Sequence, residues 1–299
     1  LRSVLTDVLP WSYVSVEQVL VSSGNDTHKA ILRTQDGHRF ESVLMANTRG
    51  AWTICVSSQI GCAMACTFCA TGSMKLRRNL LADEIIDQYR FWRQYLLEKE
   101  IAGRISNMVF MGMGEPLANY DAVKEAITCL LQYTDLGPTK ITVSTVGVLP
   151  LLKNILTDPE WPPARIAISL HSAVESTRKK IVPSTVSGFL LKLKDWCLSY
   201  HARHGNRSHY LTFEYILLDG VNDSAAEAAA LGAYAKDCGI KKVNVIPYNA
   251  VDSTGYSPSQ LKQIEVFKEI VREYGVDVTQ RRTRGADIAA ACGQLVTQK

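Results

Sequence analysis

Cys62, Cys66 and Cys69 form a C-x3-C-x2-C spacing within Gly61-Cys62-Ala63-Met64-Ala65-Cys66-Thr67-Phe68-Cys69-Ala70-Thr71-Gly72. Three thiolates this close in sequence converge only if the chain loops around one object. A structural zinc site wants a fourth ligand, commonly a second C-x2-C or a His pair. None follows nearby, since the next His downstream is His171. A [4Fe–4S] cluster takes four thiolates, so three leave one iron open to a substrate or cofactor. The small residues around the cysteines let backbone pack close to such a cluster. An aromatic, Phe68, stands immediately before the last cysteine.

Five more cysteines lie outside this loop: Cys55, Cys129, Cys197, Cys238 and Cys292. Cys129, Cys197 and Cys238 sit in apolar helical stretches and read as small core hydrophobes. Cys55 is surrounded by Trp52, Ile54 and Val56, and taken alone reads as a buried strand cysteine. Eight cysteines in 299 residues are too sparse for a secreted disulfide scaffold, which points to a reducing compartment.

The elements that must position these groups follow from periodicity. Residues 1–20 read as a helix, with Leu1, Leu5, Val8 and Leu9 on one face. Residues 28–45 read as a β-hairpin turning at Asp36-Gly37. Strands are predicted over 52–57, 107–111, 140–145, 165–171, 210–218, 242–247 and 276–280. Between them Ile85, Ile86, Tyr89, Trp92 and Leu96 recur at helical spacing, as do Val123, Ile127, Leu130 and Leu131. Apolar strands alternating with helices imply a parallel sheet in an α/β fold. Such sheets bind ligands beyond the C-terminal ends of their strands.

A chain of 299 residues buries about three quarters of its unfolded surface, so it needs no staples. With 46% hydrophobic and 21% charged residues, disordered and fibrous classes are excluded. No apolar run is long enough to span a membrane. The chain starts at Leu1 with nothing resembling a signal peptide, and a removed targeting segment stays open at this stage. The net charge of +4 permits a nucleic-acid partner without arguing for one. The clusters Lys75/Arg77/Arg78, Arg178/Lys179/Lys180 and Arg281/Arg282/Arg284 read equally as solvated faces or as phosphate contacts.

The cysteine loop resembles the cluster loop of radical S-adenosylmethionine (SAM) enzymes, and the chain resembles their RlmN/Cfr group of RNA adenine methyltransferases. The likeness extends in order over about residues 41–295. It is carried by Cys55-Val56-Ser57-Ser58-Gln59-Ile60-Gly61, Met111-Gly112-Met113-Gly114-Glu115-Pro116, Thr142-Val143-Ser144-Thr145-Val146-Gly147 and Ala167-Ile168-Ser169-Leu170-His171. Phe213-Glu214-Tyr215, Leu218-Asp219-Gly220-Val221-Asn222-Asp223, Ile246-Pro247-Tyr248-Asn249, Arg281-Arg282-Thr283-Arg284-Gly285 and Ala291-Cys292-Gly293-Gln294-Leu295 complete it.

The resemblance implies an incomplete (β/α)6 barrel, open on one side, over residues 48–299. A helix and β-hairpin over 1–47 precede it, as what is left of a longer N-terminal accessory region. It implies one [4Fe–4S] cluster on Cys62, Cys66 and Cys69, and two SAM molecules per turnover. Gly114, Glu115, Ser144, Ser169, Leu170, His171 and Asn249 would line the SAM pocket. Taken alone, His171 reads as a satisfied core histidine. Cys292 would carry a methyl group in a mobile segment, and Cys55 would release the RNA by forming a disulfide with it. Glu41 would be the proton acceptor, with an exposed hairpin carboxylate as the rival reading. Arg281, Arg282 and Arg284 would steer phosphate or favour the thiolate.

The expected substrate is C2 of adenosine in 23S rRNA and in tRNA, with C8 of the same rRNA base as the alternative. The Arg281–Gly285 and Gly114–Pro116 segments resemble the C2 branch more. Ile181-Val182-Pro183-Ser184-Thr185 departs from the group's usual Pro-x-Asn pattern. An electron donor such as flavodoxin or ferredoxin, a monomeric state and a cytoplasmic location are expected, or an organellar one had a targeting segment been removed. Rival readings of another class are a radical enzyme acting on a protein or small molecule, and a zinc-stapled RNA-binding module.

Overall fold

The computed structural model describes residues 12–47, 49–205, 210–251 and 254–296. The chain opens with three antiparallel strands, β1 (Val14–Val21), β2 (Thr27–Thr34) and β3 (Arg39–Ala46). The hairpin turns at Asp36-Gly37, as its sequence predicts. Gly37 takes the left-handed conformation (φ 86°) that this tight turn requires. The helix predicted over 1–20 is not borne out where the structure describes it, because Val14–Val21 is a strand. Val14, Val16, Val19 and Val21 favour a pleated edge, and the ladder to β2 supplies partners that sequence spacing cannot show. The residues that suggested the helix, Leu1 to Leu9, lie outside the described residues.

β4 (Trp52–Cys55) pairs antiparallel with β3, so the N-terminal strands extend the main sheet. A small ribbon of β5 (Gln59–Ile60) and β6 (Arg78–Asn79) flanks the cysteine loop, which contains the short α1 (Ala70–Ser73). Helices and strands then alternate as α2 (Ala82–Glu98), β7 (Ile105–Phe110), α3 (Tyr120–Tyr133), β8 (Ile141–Thr145), α4 (Leu149–Thr157) and β9 (Arg165–Ser169). They continue as α5 (Glu175–Ile181), α6 (Phe189–His204), β10 (Thr212–Leu217), α7 (Ala225–Asp237), β11 (Lys242–Pro247), α8 (Leu261–Glu273) and β12 (Asp277–Gln280).

One sheet of ten strands runs β1-β2-β3-β4-β7-β8-β9-β10-β11-β12. From β4 to β12 every pairing is parallel. β12 therefore adds a seventh parallel strand to the six expected of a (β/α)6 barrel. β1 and β12 are the two ends of the order, so the sheet is open.

The helices cover the sheet with the faces that the periodicity predicts. α2 buries Ile85, Tyr89, Trp92 and Leu96, and each such side chain contributes roughly 1.5–3 kcal/mol of apolar burial. Its first turn is fixed by Glu84, which accepts a hydrogen bond from the Leu81 amide at 2.8 Å. α3 buries Val123, Ile127 and Leu130. Cys197 and Cys238 are fully buried, as read from sequence, but Cys129 is only half-buried and lies on the outer side of α3. Among the described residues no helix is long and apolar enough to cross a membrane.

Candidate active site at the strand C-termini

The parallel register sends the C-terminal ends of β4 and β7–β11 to one end of the sheet, where the loops after them build two neighbouring cavities. The first, about 870 Å³ with its open mouth, has Cys62, Cys66 and Cys69 in its wall. The loop that brings them there folds back on itself tightly. Gly61 is left-handed (φ 78°) and packs against the Lys75 carbonyl, leaving no room for a Cβ. Gly72 packs in the same way against the Cys66 carbonyl. Ala65, between the first two ligand candidates, also takes a left-handed φ of 55°, an uncommon strain for a residue with a Cβ.

Burial raises the Cys62 thiol to about 11 and raises Cys66 and Cys69 as well; Cys69 pushes Cys62 and Cys66 up further, and Cys292 does the same to Cys69. Seating cationic iron among them reverses that penalty. A single zinc ion would need sulfurs about 3.8 Å apart, from Zn–S bonds of 2.3 Å. Among the described residues no group of three His, Cys, Asp or Glu side chains is placed to hold one metal ion. Three thiols spread around one roomy cavity fit a multi-iron cluster with one open iron better than a closed tetrahedral site.

Gly112, Gly114, Glu115, Ser144, Ser169 and His171 line the same cavity. Gly114 has φ 99°, and a Cβ there would lie 2.5 Å from the Gln59 Cβ. Glu115 is buried and its carboxylate is already engaged, accepting the Leu117 amide at 3.0 Å and the Val146 amide at 2.9 Å. Burial nonetheless pushes this carboxyl above its usual range. Ser144 and Ser169, on adjacent strands, share a 3.0 Å hydrogen bond.

His171 is a cavity residue rather than a plain core histidine. Its backbone is left-handed (φ 62°), its ring meets Phe68 edge-on at 4.8 Å, and its Nδ1 accepts the Ile216 amide at 3.1 Å. Burial, reinforced by the Arg178 cation, holds the imidazole down to about 3. Leu170 and Asn249 do not line this wall. Leu170 is fully buried in the core, and Asn249 lines the second cavity, where its amide donates to the Cys292 carbonyl at 3.1 Å.

The second cavity, about 620 Å³, is walled by Met45, Cys55, Val109, Arg281–Arg284 and Ala290–Cys292. Cys292, Met111 and Ile246 belong to both cavities. Cys292 is exposed, whereas Cys55 is buried and its thiol is pushed up to about 12, chiefly by burial and then by Cys292. Both are free thiols, as are the other six cysteines, so the disulfide suggested by the resemblance is no part of this structure. Nor is the Cys292 segment loose. The Ala70 amide donates to the Gly293 carbonyl at 2.8 Å, the Thr71 hydroxyl to the Leu295 carbonyl at 2.6 Å, and the Gln294 side chain to the Ala250 carbonyl at 3.0 Å.

Arg281 ion-pairs with buried Glu214 at 3.0 Å and Arg284 with Asp26 at 2.5 Å. Glu41 is buried, not an exposed hairpin carboxylate. It pairs with Lys29 at 3.1 Å and accepts the Val296 amide at 3.1 Å.

Sequence reading passed over several residues that hold these walls. Arg178, read only as part of a charge cluster, is buried and bonds three separate loops. Asn222 donates to the carbonyls of His171 at 2.7 Å and Ile216 at 2.8 Å, and accepts the Leu218 amide at 2.8 Å, so it fixes the turn carrying the imidazole. Its place in the Leu218–Asp223 segment was the available signal. Lys29 carried none, because only the sheet register shows its partner.

The sequence profile of the Radical SAM superfamily matches residues 56–231. The chain is 39% identical over 280 residues to the probable dual-specificity RNA methyltransferase RlmN of Aquifex aeolicus, covering 92% of this chain and 77% of that one. It is also 39% identical to the dual-specificity RNA methyltransferase RlmN of Solidesulfovibrio magneticus, over 99% of this chain and 82% of that one. A crystal structure of a radical SAM methyltransferase from Sphaerobacter thermophilus superposes with a TM-score of 0.91 at 36% identity, covering 98% and 84% of the two chains. A relationship of this depth, over nearly the whole fold and both cavities, places the chain in the RlmN family of radical SAM RNA methyltransferases.

Proposed function

We propose that this protein methylates C2 of adenosine in 23S rRNA and in tRNA, with Cys292 as the methyl carrier and Cys55 as the thiol that releases the product. One observation carries the reading: Cys292 stands in the wall of both cavities, facing the three-cysteine loop on one side and Cys55 on the other. C2 of adenine is an electron-poor C–H carbon with no nucleophilic character, so ordinary methyl transfer fails there. A [4Fe–4S] cluster with bound SAM supplies the one-electron chemistry that makes a parked methyl group reactive.

The chain's own residues do the rest. Cys62, Cys66 and Cys69 would hold the cluster, and Gly114, Glu115, Ser144, Ser169 and His171 would hold SAM in the same cavity. Held neutral, His171 would add no positive charge to a cavity that has to accept a cationic cofactor. Cys292 takes the methyl group as a thioether and then carries the adenine through it. Glu41 accepts the proton that C2 must lose. The Cys55 thiolate attacks the Cys292 sulfur, the bond from that sulfur to the adenine-bound carbon breaks as the disulfide forms, and that carbon takes up a proton and leaves as the methyl group of the product. Asn249 holds the Cys292 backbone at the junction.

The core at 48–299 performs this chemistry, with the strands of 1–47 supplying Glu41. The RlmN names of the relatives favour C2 over C8. Two SAM molecules per turnover, a flavodoxin- or ferredoxin-type donor and a monomeric enzyme belong to the same reading.

The test is Cys55→Ala expressed in cells and purified under nitrogen. RNA covalently attached through the Cys292 peptide after denaturation is the expected result. A variant with its iron intact, no attached RNA and full methylation activity would remove Cys55 from the mechanism.

A further inference from the structure

One buried ion pair grips the methyl-carrier segment at both ends. Lys29 Nζ lies 3.1 Å from Glu41 Oε1 and donates to the Ala289 carbonyl at 3.2 Å. Glu41 Oε2 accepts the Val296 amide at 3.1 Å. Residues 289 and 296 are the two ends of the segment carrying Cys292. Lys29 is 5% exposed and Glu41 2%, so the pair is shielded from solvent screening.

The register explains why these groups meet. Lys29 stands directly opposite Val43, and Val43 directly opposite Cys55. Directly opposed residues share a face, and Glu41 shares it with Val43 through the two-residue period. Lys29, Glu41 and Cys55 therefore project from the same face of β2, β3 and β4.

We propose that Lys29 is a positioning residue whose ion pair with Glu41 clamps the Cys292 segment and lets it go when Glu41 takes up a proton. This rests on the reading of Glu41 as proton acceptor. The proton from C2 of the RNA-linked adenine passes to the carboxylate, which becomes a neutral acid. The charge attraction to Lys29 is then lost, and a protonated oxygen is a poorer acceptor for the Val296 amide. The remaining ties of the segment, from Ala70, Thr71, Asn249 and Gln294, involve no charged group and do not respond to this proton. Release would thus follow proton transfer, when Cys55 must reach the Cys292 sulfur.

The groups that contact the carboxylate are Lys29 from β2 and the Val296 amide from the C-terminal segment, and the Cys55 thiol stands on the same sheet face from β4. Upstream of the segment, the Arg284–Asp26 pair ties the chain to the residue before β2 without net charge. Burial pushes the Glu41 carboxyl up, and Lys29 is the strongest influence pulling it back.

The experiment uses the full chain with its cluster and compares Lys29→Met and Lys29→Arg with the parent protein. Amide hydrogen exchange of the 286–296 peptide is expected to speed up at least tenfold in K29M, with β2 and β3 peptides unchanged. The acidic limb of the pH profile for RNA methylation is expected to move to higher pH in K29M. K29R should restore both. Unchanged exchange or an unmoved acidic limb in a folded K29M would overturn the proposal. If K29M fails to fold, Lys29→Gln is subject to the same two criteria. The exchange arm needs no turnover, so it judges the clamp even if the methylation reading fails. A fully active Glu41→Gln would overturn the proton-acceptor role and with it the proton-driven release.

Discussion

Replacing Arg178 by Met should destabilise the protein by about 3–5 kcal/mol and loosen the cavity wall that is proposed to hold SAM. Arg178 is 1% exposed and belongs to none of the ion pairs found among the described residues. Its guanidinium donates to the Leu170 carbonyl at 3.0 Å, the Val146 carbonyl at 2.6 Å and the Thr185 hydroxyl at 2.5 Å. It also stands 3.7 Å over the Phe189 ring. Each hydrogen bond from a charged donor contributes roughly 1.5–3 kcal/mol, and a desolvated cation–π contact about 2. Against that sum stands the cost of burying a cation, several kcal/mol, which the substitution returns. Burial accordingly holds the guanidinium down to about 10.

What remains is the penalty of three orphaned acceptors, hence the net figure. Urea unfolding of the iron-loaded protein under nitrogen measures it through the midpoint at constant slope. Lys has one donor centre and no planar fork, so R178K should recover less than half. Because Leu170 precedes His171 and Val146 donates to Glu115, SAM affinity should fall together with stability. A loss under about 1 kcal/mol in R178M would refute the view that this cation ties the β8, β9 and α5 loops together.

Other substitutions test the remaining walls. Gly114→Ala forces a left-handed Ala, costing about 1–2 kcal/mol, and drives its Cβ into Gln59. SAM affinity measured calorimetrically should drop while iron content stays unchanged. Gly72→Ala should instead lower iron per chain, because it pushes directly on the Cys66 backbone. Asn222→Ala leaves three buried backbone groups unpaired, and should cost about 2–4 kcal/mol in urea unfolding. The His171 imidazole is held at about 3 against an ordinary 6.5, so between those values the unfolded chain binds the extra proton. Its contribution is complete above pH 6.5 and falls as pH drops toward 3. His171→Gln should flatten that part of the pH–stability curve.

The sequence by itself determined the chemistry-bearing loop and the order of the elements. C-x3-C-x2-C is local, so its spacing survives any tertiary arrangement. The predicted strands from β4 to β12 all exist, because a strand buried on both faces must be an apolar run wherever it pairs. The same locality explains the failure at β1, whose extended form depends on the ladder from Val14–Thr34 to Val21–His28.

Only the tertiary structure decided which separated groups share a wall. Glu41 and Val296 are 255 residues apart and touch because β3 pairs with β4 while the chain returns past β12. Lys29 gives no sign in the sequence of being a buried partner, since a lysine on an amphipathic strand ordinarily faces water. Its role follows from register, a property of pairs of strands. Asn249, assigned to one cavity from sequence, lines its neighbour for the same reason, as a strand end fixes a level in the fold but not which side of it a side chain faces.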